Sequence, residues 1–471
     1  MKRKASLNDL FESTAKVIYL NSFHLADLRW NVEDSCDGQS EYELLFVNKR
    51  ESYPRIPVIL KSDSLPWDIG NVYLISLLTQ PSLSNLKTIS SKAICLKYYL
   101  QYLEDTNQHF LDLPVKYYER VPQKFKRFLS EAVGSRGFSI PYVNNVLSTV
   151  ADFYLQIERH NLLPRSSFKN RPFTSIDRKV MVENQVGLFR RINVRTSDLR
   201  IKGGRKSEVE IGKIRDGGNL RPLTYQEQKL VFEGFKNGLA SIELELMIRI
   251  ALETGARQQT ICTLSLGCIE KANSELENDI GLNSVVIHAG YRYPVDTKGG
   301  RYNHLVFSRR LIDDLMNYIY CERAEQRRSK SDCFFSDDSD NYVFLTRNGN
   351  PYFSAQREVI ARQKKQDFVM SLKSGQSLRN ELVRFIEKLQ KIDSSFSYFS
   401  FHDLRATSGM NIVRNLRKKN YPDSKIFDYV RQHLNHRNVN ITERYLNFDS
   451  EIEEFNDIQE SFSMIFDEGL Y

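Results

Sequence analysis

Cysteine is scarce. Six are spread over 471 residues, at Cys36, Cys95, Cys262, Cys268, Cys321 and Cys333, and none forms a CxxC pair. Such scatter argues against a disulfide framework or a structural zinc and fits reduced thiols in a cytosol. No run of about 18 apolar residues occurs, so no membrane span is expected. The start, MKRKASLNDLFESTAKVIYL, is basic but lacks an apolar h-region, so no secretory signal is read there. Nothing matches GxxxxGK[ST], which removes the usual phosphate-binding loop of an NTPase. His433 and His436 are close in sequence, but no cysteine or acid lies at metal spacing beside them, so no metal pair is expected.

Hydrophobic residues make up 41% and charged residues 27%, which excludes a disordered chain and supplies ordinary globular cores. At this length two or three domains are expected. The net charge of +8 is unevenly spread. Between Lys169 and Arg221 there are fourteen Lys/Arg against six Asp/Glu, while Leu446–Tyr471 holds eight acids and no base. A basic stretch beside a folded domain suits a phosphate backbone, although a solvated linker has the same composition. Lys202, Arg205, Lys206, Lys213 and Arg215 in this stretch, with Lys124, Lys126 and Arg127 upstream, are the candidate backbone contacts.

The fold class expected is mostly α with small antiparallel sheets. Residues 1–85 alternate short apolar runs (YELLFV, RIPVIL) with polar turns and read as a strand-bearing extension of unassigned role. In 86–168, Ala93, Leu96, Leu100 and Leu103, then Val143, Leu147, Val150 and Ile157, recur at helical spacing, and VPQKFKRFLSEAV adds a basic amphipathic helix. Residues 169–221, with two Gly-Gly pairs, read as an extended linker. Thr224 and Glu227 form a capping box that opens an α+β domain over 222–445. There NSVVIHAG and NHLVFS flank a Gly-Gly turn as two strands, and the region from about Cys321 to Ser395 is long, polar and basic, with a strand-like island at YVFLT. In the acidic tail, 446–471, Ile452, Phe455, Ile458, Phe462 and Ile465 fall roughly on one helical face.

Five segments carry candidate chemistry. ETGARQQTICTLSL breaks at Gly255 and restarts, presenting Arg257 at a helix start, a good place for phosphate. VDTKGGRYNHLVFS sets Lys298 just before the hairpin turn. SFHDLRATSGMNIV puts His402 and Arg405 on one helical face. HLNHRNVNITERYLNF holds His436 and, nine residues later, Tyr445. Each segment alone is compatible with a surface arginine, a solvated lysine, a plain helix face or a core tyrosine.

In order, Arg257, Lys298, His402, Arg405, His436 and Tyr445 resemble the tyrosine recombinase (phage integrase) family, whose pattern is Arg, a β-hairpin Lys, His-x-x-Arg, His or Trp, and a nucleophilic Tyr. TGAR, FHDLRAT and LNHRNVNITERY are the matching phrases, and the resemblance covers about residues 86–445. It implies a helical core-binding domain at 86–168 and an integrase-type catalytic domain from 222, closing as a C-shaped clamp on duplex DNA. Asn435 stands where the family usually has Gly; Asn is the next-best residue for a left-handed helix end. Thr260 stands where many members carry an acid supporting the first arginine.

The chemistry implied is cleavage and rejoining of DNA strands through a 3′-phosphotyrosine. Arg257 and Arg405 would neutralise the non-bridging oxygens. Nearby arginines would lower the pKa of Tyr445 and His402 would accept its proton. His436 would hydrogen-bond the phosphate, and Lys298 would protonate the leaving 5′-oxygen. No cofactor, ATP or metal is called for. The resemblance also implies a homo-oligomer on DNA (a dimer per site, a tetramer in synapsis), a bacterial cytoplasmic location, a mobile-element context, and a tail docking on its own or a neighbouring protomer. Competing readings are a type IB topoisomerase, a non-catalytic DNA-binding protein of the same fold, and a helical scaffold, which would leave the ordered constellation unexplained.

Overall fold

The computed structural model describes residues 6–34, 40–78, 86–183, 189–202, 212–330, 335, 339–365 and 372–467. The chain forms two compact units, one built mainly from Met1–Val182 and Arg190–Lys206, the other from Ser207–Lys364 and Leu372–Tyr471.

The first unit opens with a long antiparallel hairpin, β1 (Lys16–Asp34) and β2 (Ser40–Leu60), whose register shifts at a bulge between His24 and Ala26. Four helices follow: α1 (Asp68–Leu78), α2 (Leu86–Asp105), α3 (Val121–Arg136) and α4 (Ile140–Arg159). Pro122 and Pro141 sit in the first turns of α3 and α4, where a missing N–H costs nothing. The periodic residues expected to face inward, Ala93, Leu96, Leu100, Leu103, Val143, Leu147, Val150 and Ile157, are all buried. One core joins them to Leu7, Ile56 and Ile59, so the N-terminal extension shares its core with the helices. The stretch read as an extended linker carries a second hairpin instead, β3 (Ser175–Glu183) with β4 (Phe189–Ser197). Alternation such as RRINVRTS is a strand pattern that the high charge obscured.

The second unit begins with a very short hairpin, β5 (Ile214–Arg215) and β6 (Asn219–Leu220). The capping box at Thr224 and Glu227 then opens α5 (Tyr225–Lys236) as expected. Next come α6 (Ile242–Thr254), α7 (Gln258–Cys262), α8 (Leu266–Asn278) and the strand pair β7 (Ser284–Ala289) and β8 (Asn303–Ser308). The remaining helices are α9 (Arg309–Ile319), α10 (Glu322–Ser329), α11 (Gln356–Lys365), α12 (Gln376–Ile392), α13 (Phe401–Lys418), α14 (Asp423–His433) and α15 (Val439–Asp467). The molecule is thus mostly helical with small antiparallel sheets. YVFLT joins none of these sheets but makes isolated antiparallel bridges, Tyr342 with Ser265 and Leu345 with Pro351; Tyr342, Val343, Phe344 and Leu345 are buried. Tyr445 and the start of the acidic tail lie on one continuous helix, because no Gly or Pro interrupts 439–467. Among the described residues, no helix is long and apolar enough to cross a membrane.

Candidate functional site

The site grows from four backbone breaks that turn polar side chains into one apolar nest. α6 stops at Gly255, which takes φ +63; an added Cβ there would meet Leu434 Cδ2 at 2.6 Å. The chain then restarts at Arg257, the N-cap residue of α7. α14 ends at a left-handed residue, Asn435 (φ 50), whose side-chain amide donates to Tyr302 O at 2.7 Å. Asparagine therefore serves the turn at which the family pattern has glycine. α13 opens on a capping box at Ser400 and Asp403, which sets His402 in its first turn and Arg405 one turn on. α15 lays the Tyr445 ring against Gly409 of α13: an added Cβ would meet that ring at 2.6 Å, so only glycine allows the approach.

Ile214, Leu220, Ala406, Met410, Val430, Leu434, Tyr445 and Phe448 make up the apolar wall. Inside it, three side chains converge on one atom, Oδ2 of Asp216. Arg405 Nε lies 3.1 Å away, His436 Nε2 3.2 Å away, and the Tyr445 hydroxyl donates to it at 3.3 Å. Arg405, His436, Tyr445 and Asp216 are all buried. The remaining bonds of Arg405 go to main-chain carbonyls, from Nη1 to Gly255 O at 2.8 Å and from Nη2 to Leu434 O. Those contacts fix the guanidinium between the two helix breaks and leave two of its five N–H groups for another acceptor. His436 Nδ1 meets Thr442 Oγ1 at 3.2 Å, and its ring packs on that of Tyr445 with centroids 5.3 Å apart.

The electrostatics follow from this crowding. Burial pushes the Asp216 carboxyl up, but the His436 hydrogen bond and the Arg405 charge outweigh it and hold the group well below the usual carboxylate range. Burial first, then the Asp216 carboxylate, pushes the Tyr445 phenol far above its ordinary value, against the opposing pull of Arg405. Arg405 and Arg257 do pull this pKa down, as expected, but burial and the Asp216 carboxylate outweigh them. Burial lowers the pKa values of His402 and His436 despite the attraction of Asp216, and burial also lowers that of Arg257.

Of the six residues singled out by sequence, Arg405, His436 and Tyr445 meet directly through Asp216. Arg257 is close enough for its charge to act on the same group, and its guanidinium has no hydrogen-bond partner among the described residues. His402 Nε2 is buried without a partner, and its ring lies 3.5 Å from where a Cβ on Gly217 would be. The phenol donates to Asp216, not to the imidazole of His402. Lys298 lies outside this cluster: it is exposed in the 290–302 loop joining β7 to β8, where Gly299 and Gly300 take positive φ. His433 is bonded to Ser408 at 2.9 Å, and no group able to hold a metal occurs among the described residues.

Asp216 was missed in sequence because it counted only as one of six acids diluting a basic stretch. The overlooked signal is Asp-Gly-Gly at 216–218, a tight-turn signature that belongs to the folded unit. Of the basic candidates, Lys202, Arg127 and Arg215 are exposed, and Lys124 and Lys213 are half-buried. Lys126 donates to Asp198 O at 2.6 Å and so braces the fold. Arg205 and Lys206 lie outside the described residues, as do the side chains of Ile458, Phe462 and Ile465 in the tail.

No family model matches the chain, and no curated protein does. Among solved structures it is similar to a fragment of the Tn1549 transposon integrase in complex with circular intermediate DNA, at 15% identity and TM-score 0.40, covering 80% of this chain and 94% of that one. A variant of that integrase with transposon right end DNA gives 15% identity and TM-score 0.41, covering 83% and 99%.

Proposed function

We propose that the chain is a tyrosine-type site-specific DNA recombinase, an enzyme that cleaves and rejoins DNA strands through a phosphotyrosine. One observation carries the reading: Arg405, His436 and the Tyr445 hydroxyl converge on one anionic oxygen, with Arg257 and His402 beside it. A phosphodiester is an anion that needs this kind of reception. Guanidiniums neutralise its non-bridging oxygens, a histidine N–H donates to one of them, and a phenol stands within reach of phosphorus.

In the step proposed, the Tyr445 oxygen bonds to phosphorus and its proton passes to a nearby base, for which the buried, partner-free His402 Nε2 is the best candidate. The bond from phosphorus to the 5′-oxygen breaks, and that oxygen takes a proton from Lys298, which the exposed 290–302 loop carries. A 5′-hydroxyl from another strand then attacks the 3′-phosphotyrosine and restores the phenol, so no phosphoester energy is lost. The helical first unit is proposed as a second DNA-holding domain, with the chain acting as an oligomer on two duplexes.

The test is a nicked suicide duplex, from which the cleaved end diffuses away. A covalent protein–DNA adduct that maps to Tyr445 and is absent in Tyr445→Phe is expected. An adduct that persists in Tyr445→Phe removes the proposal. A folded protein that binds duplex but forms no adduct favours the non-catalytic DNA-binding reading.

A further inference from the structure

We infer that Asp216 occupies the subsite of a non-bridging oxygen of the scissile phosphate, as an internal anion that substrate must displace. The inference rests on the function proposed above and adds the position of the phosphate and a built-in competitor for it. Two donors that a phosphodiester would need, Arg405 Nε and His436 Nε2, and the Tyr445 hydroxyl that would attack it are all committed to Oδ2 of Asp216, within 3.3 Å. Tyr445 is 0% exposed, so no phosphorus reaches its oxygen while this arrangement holds.

The fit of the stand-in is incomplete in a way its chemistry explains. A carboxylate brings two oxygens in a plane, whereas a phosphodiester brings four around a tetrahedral centre. Beside the cluster, His402 Nε2 is buried without a hydrogen-bond partner among the described residues, and Arg257 acts on Asp216 through its charge. Arg257 is the group that a larger anion would engage, and His402 Nε2 stays available as the base.

The carrier of Asp216 suits displacement. Strands β5 and β6 are two residues each, joined through Gly217 (φ +71) and Gly218. Ile214 and Leu220 anchor the base in the apolar cluster, and Arg444 Nη1 holds Arg215 O at 3.0 Å. The tip itself has one internal bond, from Asp216 N to Gly218 O at 3.1 Å. Opening the tip withdraws one carboxylate and frees the three groups together. The apparent affinity for phosphate is then reduced by the fraction of molecules in which the tip is open.

The experiment compares the intact protein with Asp216→Asn, which keeps the shape and removes the charge. Inorganic phosphate binding, followed by calorimetry, is expected to tighten by about tenfold or more, as a competing like charge disappears. Unchanged or weaker binding by folded Asp216→Asn overturns the inference and makes Asp216 a positioning residue. If that variant does not fold, hydrogen exchange of wild-type residues 213–221 decides: faster exchange with a short duplex supports displacement, and equal or slower exchange overturns it. The suicide-duplex adduct separates this inference from the function beneath it. An adduct with unchanged phosphate affinity in Asp216→Asn sinks only the displacement. Tighter phosphate binding with no adduct in wild type leaves the subsite standing and sinks the strand-transfer chemistry.

Discussion

Each unit of this molecule buries phenols, and the Tyr99–Tyr154 pair of the first contrasts with Tyr445 of the second. In the first unit, Tyr99 and Tyr154 share a hydroxyl–hydroxyl bond of 2.6 Å, and Tyr154 donates onward to Phe110 O at 2.5 Å. Phe125 and Phe153 pack beside them, and neither hydroxyl bonds to a charged group among the described residues. In the second unit, Tyr445 donates to a carboxylate that is itself gripped by Arg405 and His436. Burial raises the pKa of all three phenols, so neither burial nor a high pKa marks a nucleophile. Tyr73 and Tyr318 also donate to carboxylates held by a cation, Asp152 by Lys92 and Glu243 by Arg323 and Arg327. What sets Tyr445 apart is that a histidine and an arginine share its acceptor oxygen, with the charge of Arg257 also acting on that carboxylate.

The sharpest way to break the comparison is to remove the charge that balances Asp216. Arg405→Ala leaves a buried carboxylate with only histidine and phenol partners and orphans Gly255 O and Leu434 O. A loss of about 3–5 kcal/mol in the stability of the second unit is expected. Both tryptophans, Trp30 and Trp67, lie in the first unit, so their emission follows that unit alone. Hydrogen exchange along α13 follows the second. A double variant with Asp216→Ala should recover part of the loss, since two uncharged groups need no partner. A double variant that costs the sum of the Arg405→Ala and Asp216→Ala losses would show that the pair is not coupled.

Acid titration comes next in size. Burial, with the charge of Arg405, lowers the His433 pKa from 6.5 to about 4. Between those values the unfolded chain binds a proton that the folded chain refuses, so stability is complete above pH 6.5 and falls as pH drops toward 4. The loss is on the order of 2 kcal/mol. His402 and His436, also lowered, pull in the same direction. The depressed Asp216 adds its own loss only below about pH 4, the ordinary carboxylate range. The buried phenols of the first unit stay neutral throughout. Urea unfolding of the second unit from pH 8 to pH 4 should show the decline, and His433→Gln should make it shallower. A decline of equal steepness in His433→Gln would assign it elsewhere.

Deleting single hydroxyls sharpens the contrast itself. Tyr154→Phe leaves Tyr99 and Phe110 O short of a partner in a closed core, at a cost of about 1–2 kcal/mol to the first unit. Tyr445→Phe removes the longest of three bonds to an oxygen that keeps two others, so the second unit should change by less than about 1 kcal/mol. The stability-neutral variant is then the one expected to lose the DNA adduct. Tryptophan emission for the first variant and α13 exchange for the second would measure the pair.

Much of this was legible in the sequence where the signal is local. The helical periodicity of 93–103 and 143–157, the capping box at Thr224, the break at Gly255 and the strands around Lys298 depend on neighbours within a few residues. The meeting of Arg405, His436 and Tyr445 came only through resemblance, since nothing in spacing brings residue 405 to residue 445. Asp216 was not legible by either route. Its partners lie 189, 220 and 229 residues away along the chain, and its charge lay hidden in a stretch read by net balance. The hairpin β3–β4 was missed for the same reason, because summed charge says nothing about alternation.

The smallest effect tests whether the left-handed turn ahead of His436 is interchangeable with the residue of the family pattern. Asn435 takes φ 50, a conformation that glycine adopts without a Cβ penalty. Asn435→Gly should gain on that account and lose the 2.7 Å bond to Tyr302 O, leaving stability within about 0.5 kcal/mol. Asn435→Ala keeps the penalty and loses the bond, so it should cost about 1–2 kcal/mol. If both variants cost the same, the amide and not the backbone fixes the turn. His436 would then be held in place by the loop at Tyr302, tying the geometry at Asp216 to the same loop that carries Lys298.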